Sequence, residues 1–323
     1  MQREHSHLLA DTGHISDKCI SYSQLKRVLQ ELDYQRVNIL VEQYFCKQVI
    51  TIDKVIWQAI DGKELRGSID KVGGEKRGES IVCSVAHTNF HSTVIGYYNG
   101  NKESEKKVVK TYFDNITQLQ GGYSFDALHT NKALLKVIHA KCGVYLAQVK
   151  NNQNRLLEDC IHTSVHLPSI YNHNSQEKGH GRTEYRDYAL YDLNEKCLEN
   201  SWLQSGIKSM IAVNRKRIHT KTATQSNEKV YFVSNMLATK ENACQLFEAV
   251  RKHWSIEINN NIRDKQFGED HIKCSNTNEM RTVAAFINIT LNLLHKHNSF
   301  NNISILREQI KENRNIIYGY FNI

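Results

Sequence analysis

The stretch GYSFDALHTNKALLKVIHAKCGVYLAQV, residues 122–149, decides the fold class. Gly122 to Phe125 reads as a short strand, and Asp126 follows directly at its end. Asn131 to Lys141 reads as a helix, and Val144 to Val149 is a second apolar, strand-like run. A strand, a helix and a strand in immediate succession belong to a layered α/β architecture, in which helices cover a sheet.

Working outward, β-branched runs precede this unit at Val55 to Ile60, Ser80 to Ala86 and Ser92 to Tyr98, followed by a helix near 108–118. Further upstream, Leu25, Val28, Leu29 and Leu32, then Ile39, Leu40 and Tyr44, recur at helical spacing. They predict two short helices within residues 23–46, with Ser23 as an N-cap. Downstream, Tyr185 to Leu190, Lys208 to Arg217 and Lys229 to Val233 read as strands separated by polar turns. The expected organisation is a short helical region over 1–50, then one α/β domain over 51–323 that is interrupted by a β-rich insertion at about 165–238.

The chain has 323 residues, 40% of them apolar, which suffices for a sizeable core. It carries 42 basic against 34 acidic residues, a net charge of +8. That balance suits a polyanionic partner without resembling a disordered basic tail. Eight cysteines lack the two-to-four-residue spacing of zinc ribbons and suggest free thiols in a reducing cytoplasm. No apolar run of transmembrane length and no signal-peptide core is visible, so the expectation is a protein without membrane attachment.

Three carboxylates lie in unrelated segments: Asp61 in Ala-Ile-Asp-Gly-Lys, Asp126 in Tyr-Ser-Phe-Asp-Ala-Leu-His, and Glu257 in His-Trp-Ser-Ile-Glu. Taken singly, an Asp after a strand is most often a turn or helix cap. Gathered within a few ångström, three carboxylates raise one another's pKa unless a cation intervenes. Two divalent ions about 3.5 to 4 Å apart would remove that conflict and clamp the attacking and leaving oxygens of a phosphodiester.

The surrounding blocks carry a family resemblance. Ile-Asp-Gly-Lys-Glu-Leu-Arg-Gly-Ser, residues 60–68, resembles the first-aspartate motif of the H-repeat-associated (ISAs-type) DDE transposases of bacterial insertion sequences. Phe-Asp-Ala-Leu-His-Thr through Val-Lys-Asn-Asn-Gln to Leu-Leu-Glu-Asp, residues 125–159, is similar to that family's second-aspartate strand, helix and Lys-Gly-Asn-Gln turn. Asn151 stands in place of the glycine, and Asn tolerates left-handed backbone better than most residues. Gly-His-Gly-Arg-Thr-Glu at 179–184, His253 to Glu257, Phe267-Gly268-Glu269-Asp270 and the helix containing Arg281 and Asn292 continue the likeness, which spans roughly residues 20–297.

The resemblance implies a ribonuclease-H-like DDE catalytic domain, with the first Asp on the opening strand and the second just after the fourth. It implies two Mg2+ ions, or Mn2+, with Asp61 bridging both while Asp126 and Glu257 hold one each. The implied reaction is cleavage at the ends of an insertion sequence and transfer of the released 3′-hydroxyl to target DNA. Double-stranded DNA, both element ends and target, is the implied partner, bound by a dimer in the bacterial cytoplasm at the nucleoid. Two departures stand out: the region ahead of Asp61 is shorter than is usual in the family, and Ile258 replaces an Asn that commonly follows the glutamate. They motivate an alternative reading, a truncated or domesticated transposase that only binds DNA.

Candidate DNA contacts are the basic run around Arg215, Lys216 and Arg217, together with Lys63 and Arg66 behind Asp61. Lys150 and Arg182, within two of the family blocks, join them. Such cations would position phosphates without reading sequence. On a continuous helix through Glu257, His253, Trp254, Asn261 and Asp264 share one face, where Trp254 would stack on an unpaired base and His253 would reach a phosphate or Glu257. The pairs His87/His91 and His162/His166 are read as incidental.

Overall fold

The computed structural model describes residues 20–45, 55–68, 78–99, 102–179, 181–193, 197–297, 302–313 and 315–321. Apolar strands at its centre build a mixed nine-stranded sheet: β1 (Trp57–Glu64), β2 (Glu79–Ala86), β3 (Ser92–Asn99), β4 (Gly122–Phe125), β5 (Val144–Val149), β6 (Tyr171–Gly179), β7 (Arg182–Asp192), β8 (Ser209–His219) and β9 (Gln225–Ser234). Their order is β3-β2-β1-β4-β5-β9-β8-β7-β6. β1, β4 and β5 run parallel, and the remaining pairings are antiparallel.

Side chains alternate across the strands, so each face of the sheet needs its own cover. One face presents Ile60, Val82, Phe125 and Tyr145 to α3 (Lys102–Asn115) and α4 (Lys132–Ala140), through Val109, Phe113, Leu134, Leu135 and Ile138. The opposite face presents Leu146, Ile211, Val213 and Phe232 to Leu246, Phe247 and Val250. Farther along that face, Ala59, Ile81, Cys83 and Val85 pack against Ile256, Met280 and Ala284. These partners lie on α6 (Lys240–Lys252), α7 (Ser255–Phe267) and α8 (Thr277–His297), and α5 (Asn154–His166) follows β5. The result is an α/β protein with helices on both faces of one large mixed sheet.

The two N-terminal helices are Tyr22–Glu31 and Tyr34–Phe45, and Cys46 lies outside the described residues. The N-cap is Ser21, not Ser23: its hydroxyl accepts from the Gln24 amide while the Gln24 side chain accepts from the Ser21 amide. That reciprocal capping box is strong enough to place the boundary. These helices dock on α8, where the Asn278 side chain donates to the carbonyls of Gln30 and Leu32 at 2.7 and 2.9 Å.

Three further expectations shift. The helix expected near 108–118 begins at Lys102, because Glu103 and Glu105 favour a helix N-terminus although they interrupt no apolar pattern. Strand β6 was not foreseen: Tyr171–Gly179 is a polar, exposed edge strand that lacks alternation of apolar and polar residues. The helix through Glu257 is not continuous with the segment before it, since the chain turns at His253–Trp254 and a new helix starts at Ser255.

Candidate functional site

Two parallel strands bring the aspartates together. β1 and β4 are in register with Ile60 opposite Phe125, so the next residues, Asp61 and Asp126, emerge side by side where neighbouring parallel strands lie about 4.8 Å apart. β4 ends there, whereas β1 continues through Glu64 with β2 as its neighbour. Asp61 therefore sits within β1, at the point where one of its edges opens, instead of at the strand's end. Burial, and then the charges of Asp126 and Glu105, push the Asp61 carboxyl up to about 7.

The local sequence shapes this opening. A Cβ at Gly62 would fall 2.5 Å from the Glu105 carboxyl carbon, so the glycine after Asp61 creates the space that Glu105 occupies. A Cβ at Gly67 would fall 2.0 Å from the Ile272 carbonyl oxygen, so the second glycine of the block permits close approach of the 269–271 turn. Glu105, on α3, accepts from Tyr98 at 2.8 Å and pairs with His129 Nε2 at 2.9 Å. Burial alone would raise its carboxyl, but His129 and Tyr98 outweigh that and hold it below the usual value.

Asp126 does the work of a turn as well. Its Oδ1 accepts from the amides of Leu128 and His129 at 2.9 and 3.3 Å, which fixes the carboxylate's direction. The Lys-Asn-Asn-Gln turn supports the same loop: Asn152 and Gln153 side chains donate to the Ala127 carbonyl, and Gln153 also donates to that of Thr130. Asn151 belongs to a 3-10 turn, and its backbone is not left-handed; among the described residues positive φ outside glycine occurs at Phe90, Cys142 and Ala223.

Glu257 lies in the first turn of α7. Burial pushes its carboxyl up, Arg215 and Lys150 draw it down, and Asp126 raises it. Asp126 is thus the carboxylate whose charge reaches both Asp61 and Glu257. Two struts hold α7 and the turn before it against the parallel strands. Ser124 Oγ lies 2.9 Å from His253 Nδ1 and 3.0 Å from His87 Nε2. At the other end of α7, Lys63 Nζ meets Asp264 at 2.7 Å and Asp270 at 2.8 Å, with Glu269 at 3.5 Å. Behind them the fully buried Arg263 guanidinium makes a bidentate pair with Glu269 at 2.9 and 2.6 Å.

These struts engage two of the residues expected to contact DNA. Lys63 is only 8% exposed, and its ammonium is paired with Asp264 of α7 and Asp270 of the following turn. His253 Nδ1 contacts Ser124, and burial lowers its pKa to about 4. His253 and Trp254 form the turn between α6 and α7, and Trp254 is the N-cap residue of α7, its carbonyl accepting from the Ile258 amide at 3.1 Å. Trp254 is 50% exposed and is not a core residue.

Other basic residues divide by strand alternation. Arg215 and Arg217 share one side of β8 and Lys216 lies on the other. Arg217 pairs with Glu184 and Glu228, and Arg182 lies 3.6 Å from Glu184, so the hairpin's charge is partly neutralised from within. Arg215 is partly buried and Lys216 exposed. Lys150 is exposed, and Arg66 has 71% of its side chain exposed, 3.7 Å from Asp270.

Glu105 and His129 escaped the sequence reading. Lys-Glu-Ser-Glu-Lys-Lys looks like a solvated charged stretch, yet Glu105 is 5% exposed and His129 is fully buried. The available signal was His129, three residues beyond Asp126 in the same turn. The family's later residues prove to be braces: Arg281 holds Glu79 through two nitrogens, and Asn292 bonds both the amide and the carbonyl of Ser92. Cys83, Cys142, Cys160, Cys244 and Cys274 are free thiols. Among the described residues no helix is long and apolar enough to cross a membrane.

Comparison with known proteins adds sequence relatives. The chain is 30% identical over 245 residues to "Putative protein YbfL" of Escherichia coli strain K12, covering 73% of this chain and 63% of that protein. It is 29% identical, with the same coverage, to "H repeat-associated putative transposase YhhI" of the same organism. "Putative transposase YncI" of Escherichia coli O157:H7 is 28% identical over 246 residues, 73% of this chain and 61% of the relative. The chain thus spans somewhat less than two thirds of the length of these relatives. No family model matches it.

Proposed function

Since the chain belongs to the H-repeat-associated transposase family, we propose that it is a metal-dependent DNA transposase whose DDE triad is Asp61, Asp126 and Glu257. The observation that carries this reading is the parallel register of β1 and β4, which sets Asp61 beside Asp126, with Ser124 on β4 contacting His253 just ahead of the helix that carries Glu257. The sheet order β3-β2-β1-β4-β5, with two aspartates at adjoining strands, supports a ribonuclease-H-like domain. Strands β6 to β9 then form the β-rich insertion at about 165–238, the helices Tyr22–Glu31 and Tyr34–Phe45 belong to a separate N-terminal region assigned to 1–50, and 51–323 is assigned to the catalytic domain.

Asp61 and Asp126 adjoin where the pairing of the two parallel strands ends, where holding both ionised costs free energy that a divalent cation would offset, and Glu257 on α7 would complete the ligand set. Two Mg2+ ions, or Mn2+, would supply charge neutralisation at the phosphate and activation of its attacking oxygen. The chain's own residues do the rest. The Asp126 turn orients that carboxylate, and the Ser124–His253 and Lys63–Asp264 struts set the helix carrying Glu257. Arg66, Lys150, Arg182, Arg215, Lys216 and Arg217 supply attraction for the phosphates of element ends and target, and Trp254 offers a face for an unpaired base. The active form is a dimer on DNA at the nucleoid.

The test is nicking of a supercoiled plasmid carrying the DNA that flanks the gene. Wild type should nick with Mg2+ and not with Ca2+, and Asp126→Asn should lose nicking by orders of magnitude while still binding duplex in metal-free buffer. Binding by wild type without nicking under Mg2+ or Mn2+ would instead support a protein that only binds DNA.

A further inference from the structure

A second set of donors surrounds Asp61. One carboxylate oxygen of Asp61, one of Glu105 and one imidazole nitrogen of His129 all lie within 4.8 Å of one another. With bonds of about 2.1 Å, neighbouring ligands of an octahedral cation stand about 3.0 Å apart and opposite ones about 4.2 Å. The Glu105–His129 separation, 2.9 Å, already matches the shorter edge.

The site is built into the fold. Its donors come from β1, α3 and the turn after β4. Glu105 is 5% exposed and His129 fully buried, and the vacant Cβ position at Gly62 is filled by the Glu105 carboxylate. His129 Nδ1 is buried with no hydrogen-bond partner, so the ring is not wholly satisfied by Glu105. A structural Glu–His pair would be complete with one carboxylate. Here Asp61 adds a second and Asp126 lies beside it, and buried charge without compensation is costly.

We propose that Asp61, Glu105 and His129 form a mixed carboxylate–imidazole site for a divalent first-row transition-metal ion, with Asp61 shared with the DDE triad. The inference rests on the reading of Asp61 as a metal ligand and extends it to two residues outside that triad. Imidazole nitrogen suits transition metals, whereas Mg2+ prefers oxygen, so the site selects Mn2+ over Mg2+. On binding, the cation would take the place of the hydrogen between His129 Nε2 and Glu105, and the neutral ring would carry its proton on Nδ1.

The experiment uses Mn2+ as the probe on the full chain, combining equilibrium Mn2+ titration with electron spin-echo detection of nitrogen coupling to the bound ion. Wild type should show that coupling. His129→Gln should abolish it, and Glu105→Gln should weaken that ion by about tenfold or more, the scale of losses at supported metal sites. Asp126→Asn should retain the coupling. Bound Mn2+ without nitrogen coupling in wild type overturns the proposal and needs no variant that has to fold. Loss of Mn2+ in Asp126→Asn with full retention in His129→Gln also overturns it and leaves the triad standing. The reverse pattern supports this site and removes the triad's metal role.

Discussion

Replacing Lys63 by Met tests whether the strand carrying Asp61 is tied to the helix carrying Glu257. The substitution keeps most of the apolar stem and removes an ammonium that meets Asp264 at 2.7 Å and Asp270 at 2.8 Å. Burial by itself would lower the Lys63 pKa, but hydrogen bonds to Asp264 and Asp270 outweigh it and hold it above the ordinary lysine value. Removing one partner of a fully buried ion pair costs about 3–5 kcal/mol. Here Asp264 and Asp270 keep 32% and 16% of their side-chain surface, so water softens the loss, and Glu269 keeps Arg263. The expected destabilisation is therefore about 2–3 kcal/mol, read as a lower urea midpoint at unchanged slope. Adding Asp264→Asn should return part of it, since the double mutant no longer leaves that carboxylate unpaired. Duplex binding should keep its salt dependence, whereas a lost phosphate contact would lower the slope by about 0.9. A loss below about 0.5 kcal/mol, or a reduced salt slope, would refute the strut.

Asp61→Asn gives a pH test in metal-free buffer. The folded-state pKa, about 7, lies above the ordinary 3.8, so the native protein keeps a proton that the unfolded chain releases. Wild-type stability should fall as pH rises from about 4 to about 7, and the variant should gain up to about 4 kcal/mol over it across that window. Parallel stability curves from pH 4 to 8 would remove the burial argument. Trp254→Ala should leave stability within about 0.5 kcal/mol, because the indole is half exposed, while weakening binding to DNA with an unpaired stretch by about 1–3 kcal/mol. Equal affinity of the two proteins for such DNA would exclude stacking.

The sequence by itself determined the central elements. Gly122–Phe125 and Val144–Val149 coincide with β4 and β5, because strands buried on both faces leave continuous apolar runs that pattern alone reveals. It also singled out Asp61, Asp126 and Glu257 through the blocks around them. It was blind to β6, whose polar edge bears no alternation, and it joined His253 to a helix that starts two residues later. Only tertiary structure decided the fate of charges. Lys63, Arg263 and Glu105 look in sequence like other solvated ions, yet each is enclosed with a hydrogen-bonding or charged partner contributed by another element. Burial and partner identity are properties of segments distant in the chain, so local pattern cannot encode them. The same physics separated Arg66, left at the surface, from Lys63, three residues before it and drawn inside.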